Sequence, residues 1–224
     1  MHKLLPFRQY DEKDVFNLFQ LDVSNATVTN LTPGGNDGTD KESFWSGSLV
    51  TVPAGNTKLG GDEPTLSTNS YLGAIGSADQ GHALQEGNQY PVTGNKVAAV
   101  VGNTTNQTVL GITLRATLAF DENGEKLLYY REKLDELQAV LPGEAVPVAT
   151  KGIFTIKTGA AGITNVALAA TTITPGFGLA VHATAAQKGQ FTCAAKAASQ
   201  LGTILATGTG GGSSIALITF DAGV

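Results

Sequence analysis

The chain is poor in cysteine, methionine, tryptophan and charge. It has one of each of those three residues in 224, and only 15% of its residues are Asp, Glu, Lys or Arg. A lone thiol, Cys193, excludes an intrachain disulfide and a thiolate metal cluster. The low charge suits surfaces that pack against partners, where charged side chains are depleted. It equally suits a rigid β protein with an uncharged polar exterior. The 14 Lys and Arg residues never fall side by side, and the formal net charge is −5. That argues against a nucleic-acid partner, which needs a basic face to displace counterions from phosphates. Long apolar runs are also lacking. The stretch 163–186 is broken by Thr, Asn, Pro and Gly and has too little bulk to cross a bilayer, so no membrane partner is expected. The first residues lack the apolar core of an export signal, because Arg8, Asp11 and Glu12 come too early; synthesis in a cytosol is the expectation.

Motifs for chemistry are missing too. His2, His82 and His182 are far apart and form no compact metal motif. There is no Gly-X-Ser-X-Gly elbow and no phosphate-binding Gly-X4-Gly-Lys-Ser/Thr loop. Asp121-Glu122-Asn123-Gly124-Glu125 offers oxygen ligands but not a full calcium loop, and reads as a turn. Nothing selects a convergent pair of carboxylates. The chain is not expected to be an enzyme, and no cofactor is expected. Four Asn-X-Thr sequons, at Asn25, Asn30, Asn103 and Asn106, read as accidents of an Asn/Thr-rich composition, given that no export is expected.

What is abundant is glycine, 28 residues, about twice the usual share, together with Thr, Val and Ala. This points to many turns and short strands. The clearest pattern is a repeat: Lys151-Gly152-Ile153-Phe154-Thr155 and Lys188-Gly189-Gln190-Phe191-Thr192, each preceded by Pro-Gly, at 142–143 and 175–176. Each copy reads as a hairpin: Pro-Gly enters a strand, a Gly turn reverses it, and a second strand leaves through Phe-Thr. Cys193 takes the place of Ile156, where a small buried hydrophobe fits. Leu110-Gly111-Ile112 and Leu201-Gly202-Thr203 place Gly early in a strand, the mark of a bulge or barrel corner. One stretch, 127–139, reads as helix: Leu127, Tyr130, Leu134, Leu137 and Leu141 form one apolar stripe, ended by Pro142-Gly143.

The fold expectation is mainly β, a β-barrel or β-tulip-like or sandwich body with one short helix and an extended N-terminal arm. Residues 1–45 form the arm and loop. Residues 46–158 form a β domain with a long polar excursion at 56–95. Residues 159–224 form a second β unit packed on the first or completing it. The arm holds Phe7, Tyr10, Phe16 and Phe19. Its stretch 11–19 reads either as a short helix with acids at its start or as an extended segment. The arm either grips a neighbouring subunit or folds back on its own core; the intermolecular reading is favoured.

The strand Val109-Leu110-Gly111-Ile112-Thr113-Leu114, the turn Asp121-Glu122-Asn123-Gly124-Glu125-Lys126, the helix and the run Pro142 to Thr155 together resemble head decoration (cement) proteins of tailed bacteriophages. The N-terminal run Leu4 to Val15 and the closing Gly202 to Gly208 look similar as well. Residues 21–95 take no part in the resemblance, and the long excursion and second repeat depart from the smallest members. The resemblance implies a virion structural protein, made in the host cytoplasm and placed on the outside of the head. It would bridge major capsid proteins, with itself as a second partner, a homotrimer being favoured. No catalytic residues carry over. The expected capsid-binding residues are Leu5, Phe7, Arg8, Tyr10, Val15, Phe16 and Phe19. Two rivals remain. A tail or fibre module recognising host glycans would use exposed aromatics such as Tyr71 and Tyr90. A β-sandwich hydrolase would need His82, His182 and a carboxylate to converge.

Overall fold

A computed structural model describes residues 3–21, 45–52, 96–100, 108–118, 121, 125, 127–141, 144–160, 166–170, 172–183, 188–194, 201–210 and 213–223. In chain order its strands are β1 (Leu4–Gln9), β2 (Val15–Phe16), β3 (Gln20–Leu21), β4 (Leu49–Thr51), β5 (Lys96–Ala99), β6 (Val109–Thr113), β7 (Ala116–Thr117), β8 (Ala139–Val140), β9 (Val148–Ala149), β10 (Lys151–Gly159), β11 (Leu168–Ala169), β12 (Gly178–Val181), β13 (Phe191–Ala194), β14 (Gly202–Gly210) and β15 (Ser213–Asp221). Among the described residues one α-helix, α1 (Arg131–Glu136), accompanies them. The protein is mainly β, as expected.

Six strands close a barrel in the order β10-β11-β13-β12-β14-β15 and back to β10. Closure works because β10 is long enough to share one of its edges. Residues 153–156 of that edge pair with β1, and Thr158 and Gly159 pair with β11. Its other edge pairs with β15 from Lys151 to Thr158. An open six-stranded sheet, β2-β9-β6-β4-β5-β3, lies beside the barrel.

Period-two alternation builds the barrel core. In β15, Ala216, Ile218 and Phe220 are buried, and in β10 Phe154 and Ile156 are. The two repeat phenylalanines converge on Phe220. Phe154 meets it edge-on at 6.4 Å and Phe191 at 5.8 Å, an arrangement favoured by aromatic quadrupoles. The same core takes in Leu49, Val109, Ile112 and Ala149 from the open sheet, so both sheets share one interior.

The repeat is a hairpin only once. In the second copy β12 pairs antiparallel with β13, Leu179 opposite Cys193. In the first copy β9 pairs with β2 and β6 in the open sheet, while β10 runs on into the barrel. The chain crosses between the sheets at Thr150, whose N–H donates to the Asp14 carbonyl. Sequence likeness kept the Lys-Gly corner and the buried Phe but not the pairing, because the strand before the first corner has neighbours already in the open sheet. Gly189 shows why the second corner is glycine. It sits at φ +70°, and a Cβ there would lie 3.1 Å from the Leu49 carbonyl oxygen. Pro142-Gly143 lies outside the described residues.

Both Leu-Gly strands carry a bulge, beside Gly111 in β6 but at Leu205, three residues past Gly202, in β14. The β4–β6 register shifts between Val50 and Thr51, opposite Gly111 and Val109. The β14–β15 register shifts between Ile204 and Ala206. The helix is shorter than the sequence stripe. Leu127–Tyr129 form a single 3-10 turn, Tyr130 breaks the helical path at φ −125° and ψ 76°, and α1 covers only Arg131–Glu136. Ala139 and Val140 are taken by β8, which pairs in parallel with β7. Sheet pairing thus overrides helix propensity at that end. Leu127, Leu134 and Leu141 are buried as the stripe requires, but Tyr130 points outward and is half exposed. The 56–95 excursion, the sequons and the Asn123-Gly124 turn lie outside the described residues.

Candidate functional site on the N-terminal face

Residues 3–21 stitch the two sheets together. β1 lies on the barrel, β2 pairs with β9, and β3 pairs in parallel with β5. The segment 11–19 combines the two local readings. Asp11 caps one 3-10 turn, Glu12–Asp14, by accepting from the Lys13 N–H at 3.2 Å, and extended chain flanks it. The arm is extended, and it lies on its own body: Lys3 and Leu4 are buried, and Lys157 N–H donates to the Lys3 carbonyl at 2.8 Å.

β1 does not match β10 step for step. Leu4 faces Ile156 and Arg8 faces Phe154, so four steps on β1 answer two on β10. Pro6, with no N–H to donate, sits inside this bulge. The bulge throws Phe7 outward, 82% exposed.

The seven expected site residues separate accordingly. Val15 packs against the shared core, and Phe19 against a second cluster containing Leu21, Val50 and Val148. Leu5 and Phe16 are half-buried. Tyr10 stacks on Phe154, centroids 6.0 Å apart. Only Phe7 projects freely.

Arg8, Tyr10 and Val15 line a cleft of about 1080 Å³ together with Arg115, Asp135 and Gln138. A smaller cleft of about 580 Å³ lies beyond Tyr10, toward Asp14 and Lys151. Arg8 is the anchor. Its Nε donates to the Leu5 carbonyl at 3.1 Å, Nη1 to the Leu114 carbonyl at 3.2 Å, and Nη2 to Gln138 Oε1 at 2.6 Å. Among the described residues it has no carboxylate partner. Burial draws its pKa below the ordinary arginine value, Tyr10 opposes that shift, and Arg115 adds to it. The group remains cationic. Gln138 holds its end of the contact from a left-handed conformation, φ 46°, uncommon outside glycine. Arg115 in turn lies 3.5 Å from Asp135.

Arg115 and Gln138 were not legible in the sequence, since Gln138 meets Arg8 across 130 positions with no local motif. The cleft offers fixed donors and one aromatic face, which suits recognition. Among the described residues no group of three His, Cys, Asp or Glu could hold a metal. His182 and Cys193 belong to the barrel. Burial lowers the His182 pKa and raises that of the Cys193 thiol. His82, Tyr71 and Tyr90 lie outside the described residues.

The fold defines a mainly β protein with a closed barrel, an open sheet docked on it, and an N-terminal strand that joins them. No protein-family model, curated protein or solved structure matches this chain.

Proposed function

We propose that this chain is a virion structural protein, a decoration protein that binds the outside of a phage head and supports contacts between major capsid proteins. The observation that carries this reading is Phe7. A phenylalanine 82% exposed on a strand fixed to the barrel leaves a large apolar surface in water, worth about 1.5–3 kcal/mol if a partner covers it. Arg115 and the cleft beside it supply a polar rim of the kind that surrounds such anchors. Val15 and Phe19 serve the chain's own cores, so the contact surface is narrower than the full set of seven residues.

The test is co-sedimentation with purified heads lacking the protein. Phe7→Ser should reduce binding at least about tenfold, with unchanged thermal unfolding. Full binding by Phe7→Ser together with Arg115→Glu would overturn the reading. Removing residues 1–20 is a poor test, because it also removes β1 and β2 and half of β3. A second reading, a module that recognises host glycans, draws on the adjacent exposed rings of Tyr129 and Tyr130. Strong glycan-array binding lost in Tyr129→Ala would favour it.

A further inference from the structure

Barrel closure leaves two strand edges without a neighbour among the described residues, the outer edge of β1 and the far half of β14. β12 accompanies β14 only at its start, where Thr203 faces Gly178 and Ile204 N–H donates to the Phe177 carbonyl. The Pro175-Gly176 turn, with Gly176 at φ +89°, then leads β12 away. Beyond the bulge at Leu205, Ala206 to Gly210 pair in regular register with Leu217 to Ser213 of β15. On the other side they meet no strand among the described residues, and Leu205 to Thr209 are all exposed. No charge and no proline occurs between Lys196 and Asp221. Proteins ordinarily blunt an open edge with charge, proline or a bulge, because its unpaired N–H and C=O groups template another strand. Here the bulge sits at the root and the rest of the edge is regular.

We propose that Ala206–Gly210 is an interaction surface for a second copy of this chain, the two β14 edges pairing antiparallel about a twofold axis at Gly208. An isologous contact needs a self-complementary segment, and Ala-Thr-Gly-Thr-Gly is one. With the axis at Gly208, Thr207 faces the second copy's Thr209 and Ala206 faces the second copy's Gly210. Thr–Thr cross-strand pairs are favourable, and no like charges meet although each chain carries −5. A strongly charged partner segment would find no counter-charge on this edge, which favours another copy. The paired stretch is short for a stable interface, so the association is weak and grows with local concentration. The proposal does not depend on the capsid reading.

Cysteine trapping tests it. In a Cys193→Ala background, Gly208→Cys is compared with Phe7→Cys. A Cβ at Gly208 meets only Ile215 Cγ1, at 3.9 Å, so the substitution fits. At the axis the paired Cα atoms fall about 4.5–5.5 Å apart, within disulfide reach. Under mild oxidation Gly208→Cys should form covalent dimer about tenfold faster than Phe7→Cys, although position 7 is highly exposed to chance collision. Equal or slower trapping at 208 overturns the proposal. The register has its own test. Adding Thr207→Lys with Thr209→Lys, or Thr207→Glu with Thr209→Glu, should abolish trapping, and mixing the two variants should restore it as heterodimer. Trapping that survives in either charged variant alone overturns it.

Discussion

Two open edges of the barrel sheet, β1 and the far half of β14, meet the same problem in opposite ways. β1 carries Pro6, a bulge and the Arg8 side chain, so its outer backbone presents a broken, charged profile. β14 beyond Leu205 is regular, uncharged and exposed. An edge blunted in this way favours contact through side chains, here Phe7 and the cleft beside Arg8. An edge left regular favours contact through the backbone. One fold thus supports two kinds of recognition, and each can be broken separately.

The largest effect is expected where β1 rests on the barrel. Phe154→Ala removes the ring under Tyr10 and a third of the Phe154–Phe220–Phe191 cluster, and should cost about 3–5 kcal/mol in denaturant unfolding. Arg8→Met should cost about 2 kcal/mol, because it leaves the Leu114 carbonyl and Gln138 Oε1 without their donor. Loss of stability without loss of head binding would make Arg8 a clip rather than a contact. Pro6→Val restores a backbone donor to β1 and should change stability by no more than about 1 kcal/mol. Its sharper readout is faster trapping at Phe7→Cys, since the edge is then less protected.

The smallest effect concerns Asp221, at the end of β15. Its pKa is lowered first by the Gly223 N–H and then by Lys151, 3.1 Å away. A folded-state pKa below the unfolded one stabilises the protein above the unfolded value, and that gain is lost as pH falls through the folded value. Both partners are more than half exposed, so solvent screens the pair. Asp221→Asn should shift stability at neutral pH by under about 0.5 kcal/mol. A larger loss, or one that persists undiminished when the pH falls below the folded value, would contradict the assignment.

Much of the barrel was legible because its signals are local. Leu110-Gly111 marked the bulge of β6, and the repeated Phe-Thr marked two strands that share one core. The first repeat misled because local pattern cannot say which sheet a strand joins; β9 takes its partners from residues 15 and 113. The helix was overcounted because β7 claims Ala139 from a distance and Leu127–Tyr129 close only a 3-10 turn. Aromatic content drew attention to the N-terminal segment, but only the bulge at Pro6 separates projecting Phe7 from inward-turned Val15 and Phe19. The β14 edge left a sequence trace, its lack of charge, whose meaning depends on where the Pro175-Gly176 turn sends β12.

The contrast between the edges is tested most directly by amide hydrogen exchange at low and high protein concentration. Outward-facing amides between Ala206 and Gly210 should exchange more slowly in the concentrated sample, while those of β1 should not change. Unchanged exchange along β14, or new protection along β1 instead, would contradict the account.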